Sequence, residues 1–368
     1  LSLLSDLNAP RAASGVTSQP IPVLTLNGIA LPGLIEAEVT NASHFTADTF
    51  HAVLSSTGLP AAYGPAYWSL SVGDRIGIAV GFSGASPTPL ILGQVDNIDY
   101  DLAGRTITLT GRDLSAQMID TKTSEKFVNQ TSSQIALTIA ARHNLQASVQ
   151  PTSEKAGTYY SRDHVVLTQD QSEWDLLIYL AEHEGFDVWV SGQTLYFQPS
   201  PVTTNPAYKL LWKEPGAGPV NSNALDIRCS RSETLAKDII VKVQSWNQKQ
   251  QRTFVVTYKV TQANKGQRAG GQAQTYSFNV PNLTRDQAYQ LAKSKAEEIT
   301  RHERVLTARL PGDNSLTTRG MVQLVGTGTD WDQFYYPDTV TRRISFEEGY
   351  RMELRAKNHS TQSTVVIG

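Results

Sequence analysis

Residues 73–111, GDRIGIAVGFSGASPTPLILGQVDNIDYDLAGRTITLTG, and residues 320–356, GMVQLVGTGTDWDQFYYPDTVTRRISFEEGYRMELRA, read as one pattern written twice. Each opens on a glycine and a short alternating apolar strand closed by another glycine: Gly73, Ile76, Ile78, Val80 and Gly81, then Gly320, Val322, Leu324 and Gly326. After a proline-containing loop each runs into a hairpin. Ile98, Tyr100, Gly104, Ile107 and Leu109 hold the first hairpin, and Ile344, Phe346, Gly349, Met352 and Leu354 the second. Leu354 follows Leu109 by 245 residues, whereas solenoid repeats recur every 20–50 or so. Two copies of one small β domain, separated by other material, account for the pattern, although any two β-hairpins share part of it.

Outward from these copies, 368 residues predict two to four domains. A net charge of −2 and an isoelectric point of 6.4 give no electrostatic case for nucleic acid as the main ligand. Cys229 is the only cysteine, which excludes an internal disulfide and a cysteine-rich zinc site. No apolar run has the length of a membrane span. The first twenty residues lack the basic start and apolar middle of a signal peptide, so a soluble protein made in a cytoplasm is expected.

Residues 1–20 read as an N-terminal arm, and 21–117 as a first β-barrel domain. In that domain Val23, Leu24 and Leu26 precede an Asn27–Gly28 turn, and Ile35, Ala37, Val39 and then Phe50, Ala52, Leu54 alternate. At 118–198 the period changes to that of a small α+β domain. Thr131 and Gln134 form a capping box before a helix bearing Ile135, Ala136, Ile139 and Ala140. Ser172 and Asp175 open a second helix with Trp174, Leu177, Ile178 and Ala181 on one face and Gly185 as its stop. A hairpin follows, with Phe186, Val188 and Val190, a Ser191–Gly192 turn, and Leu195 and Phe197. A proline-rich linker occupies 199–225. The first part of a second β-barrel domain is expected at 226–262. An insertion at 263–302 holds the polar loop NKGQRAGGQAQ and a helix capped by Thr284 and Gln287, carrying Ala288, Leu291, Ala292, Ala296 and Ile299. The second barrel resumes at 303–360, and 361–368 is a C-terminal tail. The expected fold class is therefore mainly β with α+β: two related small barrels, one α+β domain and a helical insertion.

Chemistry is sparse. His183–Glu184 is followed by Gly185 and Phe186, so the zinc-protease spacing fails at its last position. Glu173, Glu182, Glu184 and Asp187 offer carboxylates for glycoside hydrolysis, but they read first as a solvated helix face. Cys229, beside Arg228 and Arg231, reads as an inert thiol. The glycines of Gly266–Gly271 lack the strand-to-helix context of a phosphate loop. Tyr63, Tyr67 and Trp68 read equally as interface anchors or as the cap of a barrel end. The expectation is no catalytic residue, no metal ligand, no cofactor-binding residue and no cofactor.

Three segments together resemble the phage late control gene D family of Mu-like baseplate hub proteins, whose core also begins the type VI secretion spike proteins. They are SSQIALTIAARHNLQASV (132–149), QDQSEWDLLIYLAEHEGFDVWVSGQTLYF (169–197) and TLTGRDLSAQMID (108–120). Gln171, Leu177, Leu180, Ala181, Glu182, Glu184, Gly185, Phe186, Leu195, Tyr196 and Phe197 carry the middle pattern. Gly111, Arg112, Asp113 and Leu114 carry the close of the first barrel. The resemblance spans about residues 21–357 and implies an architecture, with no catalytic residue carried over. It implies a non-enzymatic hub of a contractile tail, located in the virion baseplate and assembled in the host bacterial cytoplasm. The hub would be a homotrimer of pseudo-six-fold symmetry that joins a hexameric tail tube to a trimeric central spike and touches other baseplate proteins. DNA would pass through its lumen without specific binding. The sequence stops about ten residues after the second copy, so puncturing or wall-cutting work is expected of a partner. The hairpins at 94–110 and 340–355 are the expected tube wall, with loop charges that differ: Asp99, Asp101 and Arg105 against Arg342, Arg343, Glu347 and Glu348. Two other readings stay open: a tail-tip cell-wall glycosidase working near Glu182 and Asp187, and a carbohydrate- or receptor-binding tail module working through Tyr63 and Trp68.

Overall fold

The computed structural model describes residues 19–43, 45–82, 86–123, 125, 127, 129–153, 171–199, 207–214, 219–231, 239–247, 252–260, 274–280, 283–300, 304–358 and 364–365. Residues 1–18 of the arm expected at 1–20, residues 264–273 of the polar loop and most of the tail lie outside them, and Pro20 already opens the first strand. The fold is mainly β. In chain order the first strands are β1 (Pro20–Leu26), β2 (Ile29–Leu31), β3 (Leu34–Ala42), β4 (Thr49–Ser55), β5 (Arg75–Phe82), β6 (Thr88–Asp101) and β7 (Thr106–Asp113). Next come α1 (Ala116–Asp120), α2 (Ser132–Arg142), β8 (Gln146–Val149), α3 (Glu173–Glu184), β9 (Asp187–Ser191) and β10 (Thr194–Gln198). Then follow β11 (Tyr208–Lys213), β12 (Asp226–Arg231), β13 (Ile239–Asn247), β14 (Arg252–Val260), β15 (Gln274–Asn279) and α4 (Arg285–Thr300). The last are β16 (Arg304–Pro311), β17 (Val322–Val325), β18 (Phe334–Ser345) and β19 (Gly349–Asn358).

The chain forms two compact units. The first joins Leu1–Tyr208 to Arg309–Gly320 and Asp338–Glu353; the second joins Lys209–Ala308 to Met321–Pro337 and Leu354–Gly368.

In the first unit the strands run β2-β1-β5-β6-β7-β4-β3. Alternation sets which face of each strand is buried: in β7, Ile107 and Leu109 face inward while Thr106, Thr108 and Thr110 face out. Asn27 and Gly28 both have positive φ, 51° and 84°, as a two-residue hairpin turn requires. The sheet then continues into the second copy. Seven residues of β18, Thr339–Ser345, pair with β3 from Ala42 back to Glu36, and β19 pairs with β18. Ile344 and Tyr350 join the core formed by Leu24, Leu26, Val39, Phe50, Ile76, Ile78 and Leu109.

The first barrel is an open path of strands rather than a closed cylinder. Side chains, not a ladder, link β19 back to β5: Tyr350 Oη donates to Asn314 Oδ1 at 2.7 Å, and Asn314 Nδ2 to Val80 O at 2.8 Å.

The α+β part has its own core of Ile135, Ile139, Trp174, Leu177, Val188, Leu195 and Phe197. Both capping boxes form, Thr131 with Gln134 and Ser172 with Asp175. Gly185 ends α3 at φ 70°. The buried face of α3 is wider than the expected four residues: Leu176 and Leu180 are buried too, and Ile178 is only partly so. Hairpin β9–β10 packs beside β8, which pairs in parallel with β10.

In the second unit, β13 pairs with β14 antiparallel and with β15 in parallel. Ala288, Ala292 and Ala296 form a small-residue stripe on α4, packed with Ile239, Val241, Val243, Val256 and Tyr258. Thr284 and Gln287 cap this helix reciprocally, at 2.9 and 3.2 Å.

Both repeated hairpins form, with unequal turns. Residues 102–105 make the first turn, with Arg105 at φ 55°; residues 346–348 make the second, with Gly349 at φ 72°. Leu102 and Phe346 thus occupy the same place, first in each turn. The sequence pattern had set Phe346 against Tyr100; the structure slips that match by two residues, which preserves which side chains face in.

Candidate functional site

The motif Gly111–Arg112–Asp113–Leu114 closes β7, and each of its residues has a separate structural task. A Cβ on Gly111 would sit 2.0 Å from Gln94 O and 2.7 Å from the Phe50 ring, so only glycine fits between β6 and that ring. Arg112 is clasped from both sides, by Asp96 at 2.7 and 2.9 Å and by Asp120 at 2.9 and 3.2 Å. Those bonds, first to Asp96 and then to Asp120, hold its guanidinium more firmly protonated than usual. Leu114 is fully buried in the α+β core.

Asp113 belongs to a buried ionic centre. Its carboxylate accepts from Ser115 N at 3.0 Å, from Ser115 Oγ, and from Asp48 N at 3.2 Å. Burial first, and then the charge of Asp48, push its pKa up to about 7. Asp48 itself accepts from Ala42 N at 2.7 Å and Asn41 Nδ2 at 2.8 Å; burial pushes its pKa up against these bonds and the nearby Arg319 and Arg342. Arg342 donates to Asn41 Oδ1 at 2.9 Å, to Asp313 O at 3.2 Å and to Leu316 O. Expected as a hairpin-loop charge, Arg342 instead lies within β18, 4% exposed. Burial lowers the pKa of both arginines. Arg319 lies 4.7 Å over the Trp189 ring and 3.9 Å from Asp187, and Trp189 stacks on Tyr196. This centre ties β3, β7, β9, β18 and the 313–319 loop together through charges that desolvation would otherwise penalise.

The acidic residues of α3 part ways. Glu173 is 0% exposed, ion-paired to Arg142 and in contact with His143 Nε2, so it is not on a solvated face. Arg142 reaches on to Glu125 at 2.5 Å. Glu184 accepts from Ser132 Oγ at 2.7 Å, Glu182 is exposed, and Asp187 faces Arg319. His183 is half-buried at the end of α3. Among the described residues no cluster of His, Cys, Asp and Glu could hold a metal. Burial raises the Cys229 pKa, which disfavours its thiolate. Gly266–Gly271 lies outside the described residues.

The aromatic cluster packs against the sheet. Tyr63, Tyr67 and Trp68 meet edge-to-face at 5.1 Å, and Trp68 Nε1 donates to Tyr63 O at 2.8 Å. Tyr67 Oη donates to Asp74 at 2.9 Å; burial and that bond push its pKa up to about 12. Trp68 is buried in the sheet's core. Among the described residues no helix is long and apolar enough to cross a membrane.

Residues 69–344 match the family described as the Alg8 N-terminal domain. The chain belongs to that family. No curated protein matches it. Among solved structures, this Alg8 N-terminal domain chain is similar to the tail protein from Neisseria meningitidis MC58, with a TM-score of 0.66 at 13% identity over 92% of this chain and 97% of that one. It is similar also to the 43 kDa tail protein of prophage MuSo2 from Shewanella oneidensis, with a TM-score of 0.65 at 14% identity over 92% and 98%. The E. coli c3393 protein, a component of the type VI secretion system, gives 0.55 at 9% identity over 94% and 79%. At such identities the likeness establishes a shared fold. The resemblance read from the sequence agrees with it at that level.

Proposed function

We propose that the protein is the structural baseplate hub of a contractile phage tail, akin to the late control gene D proteins. In this reading three chains form a ring of pseudo-six-fold symmetry between a six-fold tail tube and a three-fold spike. It works in the virion without catalysis or cofactor, is assembled in the host cytoplasm, and lets DNA pass through its lumen. The observation that carries the reading is the ladder between β18 and β3. It places the two repeated hairpins in one continuous sheet with only β4 and β3 between them, as a wall built from duplicated parts requires. The tail-protein fold, matched over nearly the full length of both partners, supports it. Closed rotational symmetry would then join unlike patches of neighbouring chains head to tail.

Light scattering and electron imaging of the purified protein test this. Particles of three times 40.3 kDa with six similar lobes are expected, at least at high concentration or on the tail. A monomer in purified tails would sink the reading. A lysis-zone assay and a glycan array should both be blank; lysis abolished by Glu182→Ala would restore the glycosidase reading.

A further inference from the structure

Register places the two repeated turns on the same rim of the first unit's sheet. Thr106, at the start of β7, pairs with Asp101 on one side and Ser55 on the other. Leu54 pairs with Leu34 at the start of β3, and Glu36 pairs with Ser345 at the end of β18. The turns 102–105 and 346–348 therefore open the same way, with only β4 and β3 between their hairpins. Four strand steps of about 4.8 Å separate the two hairpin axes by about 19 Å along the sheet. Each turn begins with a large apolar residue set out in solvent, Leu102 at 74% and Phe346 at 85% exposure. Ile35 lies between them, and the exposed Ile29, Leu70 and Val72 open the same way from the ends of β1 and β5.

The charge of the rim narrows what can cover it. Arg343 is engaged by Glu38 and Glu36, and Arg351 by Glu348 at 3.6 Å. Exposed Asp99, Asp101 and Glu347 remain against Arg105, so the rim is acidic. An acidic rim repels a second copy of itself and repels nucleic-acid phosphate; it favours a basic protein surface. Two equivalent knobs on one chain further call for a partner with two equivalent sockets per chain. A six-fold ring offers that to a trimer; a three-fold spike does not.

We infer that this rim docks the tail-tube ring, with Leu102 and Phe346 entering equivalent apolar sockets, bordered by Lys or Arg, on neighbouring subunits of that ring. The inference rests on the hub reading and deepens it. The test is co-sedimentation of the full chain with rings of the purified tail-tube protein, and separately with the purified spike protein. Wild type should bind the ring and weaken clearly between about 50 and about 300 mM salt as screening tightens. Leu102→Asp and Phe346→Asp should each weaken ring binding by about tenfold or more, as loss of an apolar anchor does, and the double variant should abolish it. All should melt like wild type and still bind the spike. Leu137→Asp, on the exposed face of α2, should bind the ring normally. If both tip variants bind the ring like wild type, the rim inference fails and the hub reading stands. If only one tip matters, the paired-socket inference fails. If wild type binds neither ring nor spike, the hub reading fails with it.

Discussion

Asp113 is a carboxylic acid placed where ionisation is costly, and the sign of the consequence follows. Its folded pKa of about 7 exceeds the ordinary 3.8, so the folded state holds a proton that the unfolded chain has released. Its contribution to stability is full below pH 3.8, falls as pH rises through about 7, and levels off above that. Asp113→Asn, which cannot ionise, should flatten the fall in stability between pH 3.8 and about 7 that wild type shows in urea titrations at stepped pH. An unchanged slope would show that another group sets it. Glu173 tests a different kind of buried charge. Removing it leaves Arg142 and His143 without their shared acceptor, so Glu173→Ala should cost about 1–3 kcal/mol. Glu182→Ala, on the exposed side of the same helix, should cost almost nothing. Equal losses in the two variants would remove Glu173 from its structural role. Neither buried centre was legible in the sequence. Asp48, Asp113, Arg319 and Arg342 are scattered over nearly the whole chain, and nothing local marks Arg342 as different from Arg343 beside it. Strand alternation alone puts one in the interior and the other in solvent.

At the scale of elements, local signals carried well. The three capping boxes, the glycine stop at Gly185 and the Asn27–Gly28 turn are short-range patterns, and each is enforced by a backbone hydrogen bond or a positive φ that few residues accept. The face of α3 was read too narrowly because periodicity gives the centre of a buried stripe, whereas its width depends on what packs there. In α3 the helix packs against α1, α2 and β9, and Leu176 and Leu180 are buried in the core they share. Leu177→Ala should therefore lower stability by about 2–5 kcal/mol. Ile178→Ala, at a partly buried site, should cost clearly less, and thermal melts of the two variants decide it. A larger loss at Ile178 would mean the helix is rotated from the orientation described. The repeated hairpins were visible as repeats, but their register was not. The two turns differ by one residue, and a sequence match slides across such a difference without penalty until the positive-φ positions pin it.

At the scale of the whole molecule, the pairing of β18 with β3 joins residues about 300 positions apart; Thr40 and Thr341 share a hydrogen bond across 301 of them. Hydrophobic pattern finds strands but says little about which distant strand each one meets. Without β18, β3 is an unpaired edge that exposes Ile344's packing site and leaves Asn41 without Arg342. A chain ending at residue 300 should accordingly fail to give a cooperative melt for the first unit and should aggregate through that edge. A melt matching that of the full chain would show that β18 is dispensable. The same ladder also sets a schedule on the ribosome. At roughly 5–20 residues per second, β3 emerges about 15–60 s before the strand that completes it. During that interval the nascent chain carries an open sheet edge, and stalled ribosomes bearing the first 250 or so residues should be enriched in bound chaperone relative to those bearing the full chain. Translation speed over the middle of the message thus becomes a determinant of yield, for a reason written in a hydrogen bond between two threonines.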